Sequence, residues 1–354
     1  STDQSGSASE LTLTNQMREG NVNPANAVAQ PPTLIPAGIN KLGLTRVILQ
    51  GQGVFTGNNQ VSEGQLRVQT DTALGMIGGT TTVLNGAALE LRGYNDPVPV
   101  GAPPGGNGGV LGGIQLFETF NLSGLGASRV EKIAVIGGAG TFFNLTFNGQ
   151  TTTPNIPYGA SAAQVKAALE ALSTIGAGEV NVTLANNVYM VTFAGALANT
   201  TLPLTAAGIA PATATATTIA TYVDTLTNVA DDNMIRRPIS LQSDIAIDTK
   251  ANSRLSLWQS ITGAGGITKE SDGKLVLGGV NTYDGVTNIT KGIVNLQSSS
   301  ALGSPAGGTV VSNNAQIELQ GDITIGGENL TILGNGPDVT PNLPGKLMGD
   351  PTRI

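Results

Sequence analysis

Residues 266–321 read GITKESDGKLVLGGVNTYDGVTNITKGIVNLQSSSALGSPAGGTVVSNNAQIELQG, and the same pattern of glycines and aliphatics has already occurred at residues 38–93. Laid over each other without a gap at a constant offset of 228, the two stretches match Gly38 with Gly266, Ile39 with Ile267 and Lys41 with Lys269. Leu49, Gly51, Phe55, Gly57 and Gly64 fall on Leu277, Gly279, Tyr283, Gly285 and Gly292. Ala73, Leu74 and Gly75 land on Ala301, Leu302 and Gly303, and Glu90, Leu91 and Gly93 on Glu318, Leu319 and Gly321. Roughly a third of the positions are identical in an ungapped register, so the chain is a repeat protein and the repeat dictates its architecture.

Inside each copy the apolar residues come in alternating pairs: Leu275 and Leu277, Val294 and Leu296, Ile317 and Leu319, Ile323 and Ile325, Leu330 and Ile332. Such period-two couples, separated by Gly, Asn, Ser and Asp, predict very short strands with one face inward, each too short to be a helix. Short strands that turn a corner every few residues are what a parallel β-helix needs. Corners ask for positive φ or close approach between coils, which glycine accepts without a Cβ clash, and this accounts for 49 glycines in 354 residues. Leu74 and Leu302, each between Ala and Gly, read as plugs that turn inward at a corner.

The run KLVLGGVNTYDGVTNITKGIVNLQSSSALG resembles the autotransporter-associated β-strand repeat, also called the passenger-associated-transport repeat. That family's pattern is a Leu-x-Leu strand, Gly-x-Asn-Thr-Tyr-x-Gly, a Thr/Val strand, x-Gly-x-Leu and a closing Ala-Leu-Gly. Asn281, Thr282, Tyr283 and Gly285 stand as the family writes them, whereas Gln52-Gly53-Val54-Phe55-Thr56-Gly57 of the first copy keeps only the aromatic and the final glycine. The segment RPISLQSDIAIDTKANSRLSLWQSITGAGGITK is similar to the family's lead-in coil. The resemblance implies an extracellular β-helical stalk or surface protein of bacteria, and it implies no reaction.

Composition narrows the function classes. Seventeen Lys and Arg are spread thinly against 24 Asp and Glu, for a net charge of −7, so no basic patch marks a nucleic-acid partner. Cysteine is absent, which excludes a disulfide framework and thiolate metal sites. Histidine is absent as well, removing the usual general base of hydrolases and the commonest zinc ligand. No apolar run is long enough to span a membrane as a helix.

Both extremities of the sequence read as open coils. Ser9 to Leu13 lines up with Ser253 to Leu257, and Leu330 to Gly336 closes a coil that trails into PDVTPNLPGKLMGDPTRI without a polar cap. Solenoids in solution usually need capping units over their outer strand edges. The expectation is therefore a matured piece whose ends stack head to tail, with assembly contacts at Leu11, Leu13, Leu330, Ile332, Pro341, Leu343 and Pro344. Two Pro/Gly-rich loops, 14–37 and 94–113, interrupt the first copy and read either as surface loops or as clasps between subunits. Beyond the second loop, Glu118, Phe120, Leu122, Gly124 and Gly126 match Glu328, Leu330, Ile332, Gly334 and Gly336 at a new offset of 210.

From Ser128 the pattern changes. Strands are predicted at Lys132–Ile136, Thr141–Phe147, Glu179–Leu184 and Val188–Ala194, followed by an extended tail over Thr213–Val223. Ser161 with Gln164 forms a capping box ahead of the apolar stripe Ala162, Val165, Ala168, Leu169 and Leu172, which predicts one helix. The stretch from TFFNLTFNGQTTT to VTFAGAL resembles a module of large bacterial surface proteins and phage virion proteins, to which no reaction is attached. It is expected to project sideways from the solenoid.

Chemistry-bearing residues are few. Asp231, Asp232 and Asn233 lack the ligand rhythm of a calcium loop and read as a solvated linker. Asp248, Asp272 and Asp284 are scattered, and Arg236 with Arg237 lies at a loop junction, so neither catalysis nor a metal or other cofactor is expected. Sequons such as Asn288-Ile-Thr290 arise by accident in Asn/Thr-rich strands.

The fold expected is mainly β: a parallel right-handed β-helix, or solenoid, interrupted by a small α+β domain with one helix. It divides into a first solenoid segment over 1–127, an inserted module over 128–225 and a second solenoid segment over 226–354. The function expected is that of a self-associating structural subunit of an extracellular bacterial fibre, sheath or surface layer. The alternative is a surface adhesin binding glycan or matrix through the inserted module or the long loops.

Overall fold

The computed structural model describes residues 11–14, 17–18, 37–76, 78–93, 113–197, 200–220, 223–334 and 336. Three faces of short parallel strands stack coil upon coil. The first face has ten strands, from Leu11–Leu13 at one extremity to Leu330–Ile332 at the other. The second runs from Gln115–Leu116 to Ala315–Leu319, and the third from Asn40–Lys41 to Ile261–Gly263. One coil is seen cleanly in Ile245–Thr249, Arg254–Leu257 and Ile261–Gly263, after which the chain returns to the first face at Ile267–Glu270. This is the parallel solenoid that the paired aliphatics predict.

The register explains why those pairs recur. Leu255 stacks on Leu275 and Leu275 on Val294, while Leu257 stacks on Leu277 and Leu277 on Leu296. Each such side chain sits in a continuous core, fully buried or nearly so, and contributes roughly 1.5–3 kcal/mol of apolar transfer. Leu74 and Leu302 do turn inward and are buried in the same core. Ile323 and Ile325, expected as a strand, form none. They are partly buried against the core, so their alternation reports inward packing without a ladder.

The two copies do not lie one above the other. Arg46–Leu49 belongs to the first face, whereas its counterpart Lys274–Leu277 belongs to the second. Asn59–Val61 belongs to the third face, and its counterpart Thr287–Ile289 to the first. From Arg46–Leu49 the first face passes through Gly64–Val68, Ala87–Leu91, Leu226–Asn228, Ile245–Thr249 and Ile267–Glu270 before Lys274–Leu277 opens on the next face. The copies are thus related by five coils and one face.

Equivalent residues nevertheless do equivalent work. Lys41 and Lys269 are buried, and each ammonium is held by backbone carbonyls of its own corner. For Lys41 these are Leu42 at 3.1 Å and Gly43 at 2.5 Å; for Lys269 they are Glu270 at 2.6 Å and Ser271 at 2.7 Å. Glu90 is paired with Arg67 at 3.0 Å and Arg46 at 3.6 Å across three coils, and its counterpart Glu318 with Lys274 at 2.8 Å and Asn295 at 3.1 Å. At the matching corners Gly64 and Gly292 take φ of +64° and +74°, with the carbonyls of the preceding coil pressed against the space a Cβ would fill.

The chain leaves the solenoid after Leu122 and returns at Leu226 through a neck where Ala127 and Val223 exchange backbone hydrogen bonds of 2.8 and 3.0 Å. Beyond it, Val130–Ile136 pairs antiparallel with Val188–Phe193 on one side and Thr213–Ala220 on the other. The expected extended tail is therefore a sheet strand over most of its length. Phe142–Phe147 pairs with Leu204–Ile209, a strand that the sequence pattern did not announce because its Ala-Ala-Gly centre carries no alternation. Helix Ala162–Glu170 is capped as expected by Ser161 and Gln164, and it buries Val165 and Leu169. A second core, separate from that of the solenoid, includes Phe143 against Tyr189 and Phe147 against Phe193. Buried Arg129 and Glu131 form an ion pair at 2.5 Å beside the neck, completed by Thr218, which donates to Glu131 at 2.7 Å.

Candidate functional site

Of the residues expected to mediate assembly, Leu11, Leu13, Leu330 and Ile332 sit where the stack of described coils stops. Among the described residues Leu11–Leu13 pairs on one side only, with Val47–Leu49, and Leu330–Ile332 only with Thr309–Val311. Both are the outermost described strands of the same ten-stranded face, so their outer edges point in opposite directions along one axis. Leu13 leans onto the core while Leu11 is exposed. Pro341, Leu343 and Pro344 lie outside the described residues, as do most of loops 14–37 and 94–113. Met17–Arg18, inside the first of these loops, adds a short parallel pairing to Gly53–Val54.

Repeat counterparts measure what a covering coil does. Phe120 and Leu122 are fully buried beneath Ile239–Leu241, whereas their counterparts Leu330 and Ile332 are 46% and 65% exposed. Leu91 is fully buried, and its counterpart Leu319 is 58% exposed. Leu333 adds a further exposed apolar side chain at this end. Apolar residues that the repeat places under a neighbouring coil are thus uncovered by any described residue, beside a strand edge with no partner strand among the described residues. Such an edge is chemically competent for strand addition.

The acidic residues do not assemble into a catalytic group. Asp248 is paired with Lys250, Asp272 with Lys291 at 3.0 Å, and Asp284 stands exposed elsewhere. Asp232 is clamped by Arg254, and Asn233 is buried, accepting from the Ile114 amide at 2.8 Å, so the acidic stretch 231–233 is part of the coil structure. The register does place Asp248 beside Glu270 on the next coil, where burial first and Asp248 second push the Glu270 carboxyl above its usual range. That neighbour relation was hidden in the sequence because it needs the coil length of 22 residues at this point, Asp248 to Glu270, rather than the repeat offset. No described helix is long and apolar enough to cross a membrane.

No family model matches the chain, and no curated protein matches it. A solved chain titled Mycobacterium phage Patience is similar at 28% identity over 27% of this chain and 38% of its own length, with a TM-score of 0.23.

Proposed function

We propose that this chain is a structural subunit of an extracellular bacterial fibre, sheath or surface layer, of the kind its autotransporter-associated repeat pattern suggests, and that copies associate end to end through the edges of the ten-stranded face. The observation that supports this reading is the contrast between buried Phe120 and Leu122 and exposed Leu330 and Ile332 at equivalent repeat positions. Docking the outer edge of Leu11–Leu13 onto that of Leu330–Ile332 would extend the face across the junction with parallel hydrogen bonds and cover the exposed aliphatics. Contacts of this head-to-tail kind build open filaments when the rotation does not close a ring.

Light scattering and electron microscopy of the 354-residue chain across a concentration series test the reading. The expected result is concentration-dependent axial polymers that disappear in the Leu330→Lys/Ile332→Lys double variant while its circular dichroism and thermal transition are retained. A chain that stays monomeric at the highest soluble concentration overturns it.

A further inference from the structure

Three successive coils place Phe117, Arg236 and Trp258 at one register position. Phe120 pairs with Ile239 and Ile239 with Ile261, and each of the three residues stands three positions before its strand partner. Beside them run Glu118, Arg237 and Gln259 in the same order. Together with Pro238, five of these residues line a surface groove of about 390 Å³ at the corner leading into the third face. The groove spans two coil steps, which at the spacing of neighbouring strands is about 10 Å from Phe117 to Trp258.

Most exposed cations of the solenoid are neutralised by contact. Arg67, Arg254, Lys274 and Lys291 each face a carboxylate. Arg236 has no such partner among the described residues: its Nε donates to Gln115 Oε1 at 2.7 Å, which fixes the guanidinium and leaves its terminal nitrogens free. Arg237, exposed, makes no hydrogen bond or ion pair among the described residues. The carboxylate that acts on Arg237 through space is Glu118, which is buried, has one oxygen without a hydrogen-bond partner, and is pushed up to about 7 by burial against the pull of that arginine. In a chain of net charge −7, two adjacent arginines with no contact ion pair among the described residues, and only a carboxyl held toward its neutral form nearby, are suited to an anion.

The aromatic flank is equally specific. Trp258 is the chain's single tryptophan and is 38% exposed, with its ring against Gly278 on the next coil, where a Cβ would come within 2.5 Å of the ring. Three backbone amides at this corner are used between coils, which leaves the side chains as its main recognition groups. Arg236 donates its amide to Leu116, Trp258 to Ile235 and Gly278 to Leu257. An extended peptide therefore finds no free strand edge here. Two aromatic side chains, two guanidinium groups and an amide that both donates and accepts suit a ligand with apolar ring faces, hydroxyls and carboxylates.

We infer that the groove between Phe117 and Trp258 binds an acidic glycan, a chain of pyranose rings bearing carboxylates, with ring faces on Trp258 and Phe117 and carboxylates on Arg236 and Arg237. The site lies on the side of the solenoid and does not rest on end-to-end association.

Tryptophan emission reports on this groove directly. Titration of the full chain with an oligogalacturonate is expected to give a saturable change, weakened about tenfold or more by Arg237→Ala. A neutral oligosaccharide of equal length and polyglutamate are expected to give none. The Leu330→Lys/Ile332→Lys variant is expected to bind as the parent does, which separates this inference from the assembly reading. No change with the oligogalacturonate, an equal change with the neutral sugar, a response to polyglutamate alone, or indifference to Arg237→Ala would each overturn it. Calorimetry on Trp258→Phe, which removes the fluorophore and keeps an aromatic ring, checks that the emission change reflects binding.

Discussion

Lys269 donates from its ammonium to the backbone carbonyl of Lys291 on the following coil at 3.1 Å, so that one lysine rivets the corner from which another projects. Lys41 makes the same bond to the carbonyl of Glu63 at 2.9 Å. Burial draws both ammonium groups down to about 8 from an ordinary value of 10.5. Between those values the unfolded chain binds more protons than the folded one, so this contribution to stability is greatest above 10.5 and is lost as the pH falls through 8.

The parent chain should therefore gain in denaturant midpoint from about pH 7 to about pH 9.5 relative to a Lys41→Met/Lys269→Met double variant. Lys269→Met alone, at neutral pH, should lose about 1–3 kcal/mol because three carbonyls lose a charged donor. The comparison is best kept below pH 10, where Tyr283 begins to act in the opposite direction. Burial raises its hydroxyl well above the ordinary 10.0, so ionisation in the unfolded chain lowers stability beyond that point.

Leu91→Ala and Leu319→Ala remove the same atoms from equivalent repeat positions. The first empties a fully buried site and should cost about 2–5 kcal/mol in a chemical denaturation series. The second, at 58% exposure, should cost less than about 1 kcal/mol. Equal losses would show that Leu319 is covered in solution.

Gly292 and Gly321 share a left-handed backbone, at φ of +74° and +89°, and differ in surroundings. Nothing lies within 4 Å of a Cβ at Gly321, so Gly321→Ala should cost only the conformational penalty of about 1–2 kcal/mol. A Cβ at Gly292 overlaps the Ser271 carbonyl oxygen, and Gly292→Ala should lose about 1–3 kcal/mol more. Thermal unfolding of the two variants side by side separates strain from crowding.

Tyr283 and Thr287 share a hydroxyl contact of 2.6 Å, and Thr287 in turn reaches the Leu302 carbonyl at 3.4 Å. The first copy has Phe55 and Asn59 instead, and the Asn59 amide donates to the equivalent Leu74 carbonyl at 2.6 Å. Tyr283→Phe should cost about 1 kcal/mol. Adding Thr287→Asn should recover part of that loss, with a coupling of about 0.5–3 kcal/mol in the double-mutant cycle.

The solenoid was legible because each inward column repeats its chemistry from coil to coil, and an ungapped offset between Gly38 and Gly266 preserves that repetition in plain sequence. The helix was legible through Ser161 and Gln164, whose cap is local. What escaped was everything that needs the coil lengths. Phe117, Arg236 and Trp258 converge only after a long insertion is removed and two coils are laid in register, and no motif links them in the chain. Leu204–Ile209 escaped because its partner, not its own pattern, makes it a strand. The exposed ends were half legible: the repeat names the residues that a further coil would cover, and the register shows Leu330 and Ile332 uncovered among described residues.

The displacement of five coils and one face gives the two related stretches different azimuths on a common axle. Matching outward positions of the two stretches therefore lie well apart in height and face different quarters, so a molecule docked on one would not jostle a molecule docked on the other. Duplication here has the character of a screw thread advanced by a fraction of its circuit, which decorates more than one side of a rod with a single inherited pattern.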